Sequence, residues 1–508
     1  MDEKNKILKN SAVGLISQVS TILFAFLTRN LFLEYIGLEL LGVSSTFLSI
    51  AGSISLAELG FHTAIVFSLY KPLHEKNWDE INEILNVLRI IYRVIGIGFV
   101  AISLVLVPFL PYILKETTIT PYIYLCFILQ MAASACTYFF SYKRALLYAD
   151  QKNYIAQSYD MVVNIACNTL QCITIVLFHS YMIYVAIKLL QTLGSNLIVH
   201  GYCRKAYPAL KGGKLSKTRF CRIWKDTTNI FQGRIAGYIY SSTDNLIVSA
   251  FVGTIAVGYL ANYKTIFSSL TTLTNSILAP VTPFIGNYLV EEKGTEDKEK
   301  TFLVYTHIRF LFALLIIIPT LVLIEDFVVM WIGREMVLSR VIVILISADL
   351  YISLVHGSAY DFLNAAGMFR YSKYIEMLGA ATNLALSLFL VRDYGMGGVL
   401  AGTVISQMVF WIGRSYIVYR YCLKANMATY GRYWLRNLGY CIYFAAAMML
   451  CSVAYALLPV QNLKFRFLLG GLLCETILAV LSGVCLSGFK EQQIIIKAIK
   501  QVINKSRS

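Results

Sequence analysis

Ionisable side chains lie inside long apolar stretches of this sequence. The bases are Arg29, Lys188, Arg234, Lys264, Arg309 and Arg414; the acids are Glu58, Asp244, Asp349, Asp361 and Glu475. A charge in hydrocarbon is costly, so each is a functional-site candidate by default. Facing a cavity, they would meet water or a charged substrate. The competing reading is snorkelling, because Arg29, Lys188, Arg234, Lys264 and Arg414 lie within about two turns of a span end. Glu58 and His62 are four residues apart and therefore neighbours on one helical face. A carboxylate beside an imidazole can exchange a proton near neutral pH, or serve as a structural pair. Lys188, Gln191 and Ser195 share one face of their helix and make a polar stripe with a cation. Arg234 and Asp244 lie about 15 Å apart by helical rise, too far to pair directly.

The elements that must position these residues follow from composition. The chain has 508 residues, 57% hydrophobic and 14% charged, with mean hydropathy +0.65. Soluble domains carry about 25% charged residues, so the remaining class is a polytopic membrane protein. A span needs roughly 20 apolar residues. Fourteen stretches qualify: 11–33, 41–66, 85–110, 121–143, 154–178, 181–201, 230–252, 258–290, 301–324, 341–367, 373–391, 398–420, 437–458 and 466–488. Pro280 and Pro283 are expected to kink or shorten the eighth. No alternating barrel pattern occurs, so the fold is all-α.

The net charge of +16 would suggest nucleic acid in a soluble protein. Here most Lys and Arg fall in alternate loops, including the stretch 202–229 and the tail, which is the positive-inside pattern. It places both termini of a multi-pass protein in the cytoplasm and removes the nucleic-acid reading. The first apolar span lacks a small-residue cleavage site and reads as an uncleaved helix. The eleven cysteines are scattered without CxxC pairs and read as packing residues.

The stretch 202–229 links an N-lobe, 1–201, to a C-lobe, 230–420, each of six helices; 437–488 adds two helices and 489–508 a basic tail. If the lobes are repeats, an even helix count makes them parallel, in pseudo-two-fold arrangement. Offset by 216 residues, Gly37 and Gly42 meet Gly253 and Gly258, Arg93 meets Arg309, Asp160 meets Glu376, Gln191 meets Gln407, and Arg204 meets Arg420. In the tail, Ile495, Ile499 and Val502 share one face; a helix lying on anionic lipid and an ordinary basic tail both fit.

No catalytic signature is present. The GGK at Gly212 to Lys214 lacks the earlier glycine of a phosphate-binding loop, and HExxH is absent. The six histidines are dispersed and the outer loops too short for a catalytic domain. No enzyme activity, cofactor or metal site is expected.

One region points to a family: YIGLELLGVSS (35–45), SLAELGFHTAIVFSLYKPLHEKN (55–77) and INEILNVLRIIYRVIG (81–96). LAELG (56–60) and SLYKPL (68–73) are its most specific words; ALLYADQKNYI (145–155) and FLNAAGMFRYSKY (362–374) match more loosely. The region resembles the bacterial polysaccharide repeat-unit flippases, the Wzx-type O-antigen and capsule transporters of the MOP exporter superfamily. The resemblance implies two six-helix lobes around a cavity open alternately to each side of the cytoplasmic (inner) membrane. It implies transfer of undecaprenyl-diphosphate-linked oligosaccharide to the outer leaflet for O-antigen, capsule or exopolysaccharide synthesis, alongside glycosyltransferases and a polysaccharide polymerase. The last two helices would then form a groove for the lipid tail. On that reading Arg29, Lys188, Arg234 and Lys264 form a cationic substrate site, while Glu58, with His62 beside it, Asp244 and Asp349 couple transport to a proton or sodium gradient. Three alternatives stand beside it: a multidrug/cation antiporter of the same superfamily, a membrane glycosyltransferase or polymerase, and an assembly scaffold.

Overall fold

The computed structural model describes residues 3–55, 68–69, 72–73, 75–115, 117–150, 152–210, 243–278, 285, 294–366, 368–484, 486, 489 and 491–494. Among the described residues the chain is helical, with no strand. In order come α1 (Glu3–Tyr35), α2 (Leu38–Ile54), α3 (Trp78–Leu106), α4 (Pro121–Phe140), α5 (Asn153–Phe178) and α6 (Tyr181–Ala206). Next are α7 (243–251), α8 (Thr254–Leu278), α9 (Thr295–Ile332) and α10 (Arg340–Ala365). The run Phe369–Ile417 follows, broken at Gly395 (φ 55°, ψ −134°) into α11 and α12. Last are α13 (Met427–Ala456) and α14 (Leu463–Val484). Every one of the fourteen expected spans thus has a helix in the described residues, in whole or in part. Among the described residues ten helices, counting α11–α12 as one run, are long and apolar enough to cross a membrane. Pro280 and Pro283 lie outside the described residues, so the kink expected there does too.

The chain divides into two compact units, Met1–Thr265 and Ile266–Ser508, with the division inside α8. Helix ends are fixed by local chemistry. The Asn77 side chain accepts the Glu80 amide at 3.2 Å and caps α3, whose first turn carries Asp79 and Glu80. Asn426 caps α13 in the same way through the Thr429 amide at 2.9 Å. Within α2 and at its C-terminal cap, Thr46, Ser49, Ser53 and Ser55 each donate to the carbonyl four residues earlier. Hydroxyls satisfied inside their own helix can stand in an apolar medium. Side chains such as Leu23, Phe389 and Leu472 point outward, as lipid-facing residues do.

The glycines paired by the 216-residue offset share their turn chemistry in the first unit. The Gly37 amide bonds the Phe32 carbonyl and the Gly253 amide bonds the Val248 carbonyl, each five residues back, with both glycines at positive φ. Each glycine immediately precedes a helix, and α2 and α8 meet almost without side chains. A Cβ on Gly42 would lie 1.8 Å from the Thr254 carbonyl oxygen, and one on Gly258 would lie 2.6 Å from the Leu38 carbonyl oxygen. Only glycine permits that approach.

In the second unit the start of the tail is packed against α9 and α13. Arg436 pairs with Glu491, and buried His307 joins the Tyr440 hydroxyl at 2.8 Å to Gln492 at 2.9 Å. Residues 495–502, expected to make one helical face, lie outside the described residues.

Gly42→Ala is expected to cost about 1–3 kcal/mol, the range for overpacking, seen as a lower melting temperature in detergent. Gly98→Ala is the control, because a Cβ there meets nothing within 4 Å, and it should not lower the melting temperature.

Candidate functional site

Two polar stripes face each other in the first unit. On α5, Asp160, Asn164, Asn168 and Gln171 follow at spacings of four, four and three, which keeps them on one face. On α6, Lys188, Gln191 and Ser195 do the same. The turn between them, with His179 left-handed (φ 49°), returns α6 antiparallel along α5. The stripes then interlock: Gln191 Nε2 donates to Asn164 Oδ1 at 2.7 Å and the Ser195 hydroxyl donates to Asp160. Gln171 Nε2 reaches the Tyr184 carbonyl at 3.0 Å. Helix α1 lies against this pair, with Thr28 beside the Cys172 sulfur at 3.6 Å and Phe32 edge-on to Tyr181 and Tyr184. That contact aims Arg29 at the polar face.

The result is a cavity of about 310 Å³ bounded by α1, α2, α5 and α6, lined by Arg29 and Lys188 together with Asn164, Asn168 and Gln191. Arg29 Nη2 donates to the Thr265 hydroxyl at 2.8 Å, a neutral partner. The Lys188 ammonium has no hydrogen-bond or ion-pair partner among the described residues. Neither cation meets a carboxylate there. Lys264, next to Thr265 on α8, is not a lining residue; its ammonium donates to Asn245 Oδ1 at 2.9 Å, and Asn245 donates on to Ser49. Asp244 is buried on α7 and Asp349 is half-buried on α10, in the other unit. Arg234, Glu58 and His62 lie outside the described residues.

Three other arginines behave differently. Arg309 Nη2 donates to Asp361 at 2.5 Å and Nη1 to the Leu354 carbonyl at 3.1 Å, while the Tyr305 hydroxyl donates to the same carboxylate at 2.6 Å. Gly357 leaves the space that the Arg309 guanidinium fills. Arg414 lies 3.5 Å from Glu376, with its guanidinium 4.7 Å from the Tyr360 and Phe410 rings. At the end of α4, Arg144 makes a bidentate pair with Asp160 at 2.7 and 2.8 Å and also donates to Ser195 and Asn196. Asp160 and Glu376, equivalent in the repeat, therefore both hold an arginine. Gln191 and Gln407, also equivalent, both hold a polar partner, Asn164 and His356. Past that end of α4, Asp150 accepts the Tyr207 hydroxyl at 2.6 Å and pairs with Lys152. Burial first, and then that hydrogen bond, pushes the Tyr207 phenol up.

Sequence reasoning found the α6 stripe but missed its α5 counterpart, although the spacing 160, 164, 168, 171 was there to be read.

A family model described as polysaccharide biosynthesis protein matches residues 7–289, more than half of the chain. The chain belongs to that family. No curated protein sequence matches it significantly. Among solved structures, the lipid II flippase MurJ in an inward closed conformation aligns with TM-score 0.70 at 13% identity, over 94% of this chain and 98% of that one. An inward-facing multidrug resistance MATE transporter of the MOP superfamily gives 0.62 at 16% identity, over 82% and 99%. A Vibrio cholerae MATE transporter gives 0.55 at 14%, over 82% and 98%. At these identities the likeness establishes the fold alone, one shared with the lipid II flippase MurJ and the MATE transporters. The family and the fold together agree with the resemblance read from residues 35–96.

Removing one partner of a buried pair strands the other. Asp361→Ala should therefore cost about 3 kcal/mol, because the side chains of Arg309 and Asp361 are only 7% and 14% exposed. Asp160→Ala should cost less, since Arg144 is 23% exposed and keeps Ser195 and Asn196. Thermal melting of the two variants in detergent ranks them.

Proposed function

We propose that this protein moves a lipid-linked oligosaccharide, carried on undecaprenyl diphosphate, from the inner to the outer leaflet of the bacterial cytoplasmic membrane. The observation that carries the reading is the cavity in which Arg29 and Lys188 meet no carboxylate among the described residues. Two cations in a low-dielectric wall favour a bound anion by charge-assisted hydrogen bonds. A diphosphate supplies that charge next to a glycan, and its polyprenyl tail can remain in the bilayer. Membership of a polysaccharide biosynthesis family agrees with a glycan cargo.

The MATE-like fold keeps a drug or cation antiporter as the rival. An organic cation would be repelled by Arg29 and Lys188, which favours the flippase. The positive-inside pattern supports cytoplasmic termini. Energy would come from a proton or sodium gradient acting on Glu58, Asp244 or Asp349, with His62 beside Glu58, or from consumption of the product outside. Arg234 remains a secondary candidate for the cationic site, Lys264 stands beside that site rather than in its wall, and glycosyltransferases and a polymerase are the expected neighbours.

Arg29→Ala should abolish complementation of a flippase-null strain at normal protein level, and Lys188→Ala should reduce transport about tenfold, the value of one charged hydrogen bond. Full complementation by both variants would refute the cationic site. Glu58→Gln, Asp244→Asn and Asp349→Asn, assayed in vesicles under an imposed gradient, test coupling. At least one should lose gradient dependence; its retention in all three refutes the scheme.

A further inference from the structure

A second cavity adjoins the Arg29–Lys188 cavity and has different chemistry. Resting on the flippase reading above, we infer that this neighbour, bounded by α4, α5 and α6, is a sugar subsite that holds the uncharged glycosyl residue attached to the diphosphate.

Its volume is about 400 Å³, inside the range of roughly 300–1,000 Å³ for small-molecule sites. The polar part of its wall is hydroxyls and amides, among them Thr137, Ser141, Asn164, Gln191, Thr192 and Asn196, and Tyr92 of α3 adds an aromatic ring. Its two charged members, Arg144 and Asp160, cancel each other in a bidentate pair. A neutral wall of donors and acceptors offers a phosphate little, but it matches sugar hydroxyls, each of which both donates and accepts. The first cavity is the reverse, carrying two positive charges and no carboxylate among the described residues.

Three features mark this cavity as built for a polar ligand. Ser141 lines the cavity, and its buried hydroxyl has no hydrogen-bond partner among the described residues, an unmet bond that costs free energy. Asn164 and Gln191 line both cavities, so the partition between them is one amide–amide hydrogen bond of 2.7 Å. That bond still leaves Asn164 an amide donor and Gln191 a carbonyl acceptor. Finally, α6 sets the order of the two sites along one face: Lys188 on the anion cavity, Gln191 on both, and Thr192 and Ser195 on the neutral one. A ligand that fills both sites must carry its anion directly beside a polyol. A glycosyl diphosphate has that arrangement, the anomeric oxygen joining the two.

The test uses the full-length protein in nanodiscs. It is titrated with undecaprenyl diphosphate, and with the same lipid carrying N-acetylglucosamine, galactose or glucose. At least one glycosylated lipid should bind about tenfold more tightly than the sugar-free lipid, the value of a few hydrogen bonds. The double variant Ser141→Ala/Thr192→Val removes two lining hydroxyls and spares the bonds of Arg144 to Asp160, Ser195 and Asn196. It should lose that preference about tenfold while binding the sugar-free lipid as before. The subsite is overturned if no glycosylated lipid is preferred, if the double variant keeps the full preference, or if it loses both lipids equally. If the wild-type protein fails to bind the sugar-free lipid, the flippase reading falls and the subsite with it. Normal sugar-free affinity that Arg29→Ala weakens, without sugar preference, overturns the subsite alone.

Discussion

The constraint on which the rest of the structure depends is the cost of a charge in hydrocarbon. Two answers among the described helices bear on the site, beside the neutral Asn245 partner of Lys264. Arg309, Arg414 and Arg144 are held by Asp361, Glu376 and Asp160, with aromatic rings or further hydrogen bonds around them. Arg29 and Lys188 instead face a cavity with amide and hydroxyl neighbours. A paired cation contributes to architecture; one without an acid retains its capacity to bind an anion. This contrast, more than the number of charges, separates scaffold from proposed site.

Positioning depends on helices that approach closely and on stripes that match. The α2–α8 contact through Gly42 and Gly258 brings backbone to backbone, and it places Thr265 where Arg29 reaches it. The α5–α6 hairpin sets amide against amide, so that one hydrogen bond both joins the helices and divides a cationic cavity from a neutral one. The same residues thus serve packing and proposed recognition, which explains why polar groups are retained at positions where apolar ones would pack.

Much of the fold was legible in the sequence, because spans are set by length and hydropathy, and those are local properties. The glycine pairs at 37/42 and 253/258 were legible as a repeat for a similar reason: a positive-φ turn and a close helix contact each require glycine. The candidate site was legible only in part. Lys188, Gln191 and Ser195 stand out by spacing, but their counterparts on α5 are uncharged apart from Asp160 and are hidden among apolar neighbours. Which cations are neutralised was not legible, since Arg309 and Asp361 are 52 residues apart in sequence and meet only through packing. The hold on Glu491 and Gln492 by Arg436 and His307 was missed for the same reason: nothing local distinguishes a docked tail from a free one.

The central claim is that Arg29 and Lys188 hold the diphosphate of a lipid-linked glycan. Electron cryomicroscopy of the protein in nanodiscs, loaded with undecaprenyl-diphosphate-linked glycan, tests it most directly. The account predicts phosphate density within about 3 Å of the Arg29 guanidinium and the Lys188 ammonium, the range of a charge-assisted hydrogen bond. Phosphate density at another site, with both side chains left facing solvent, would contradict it.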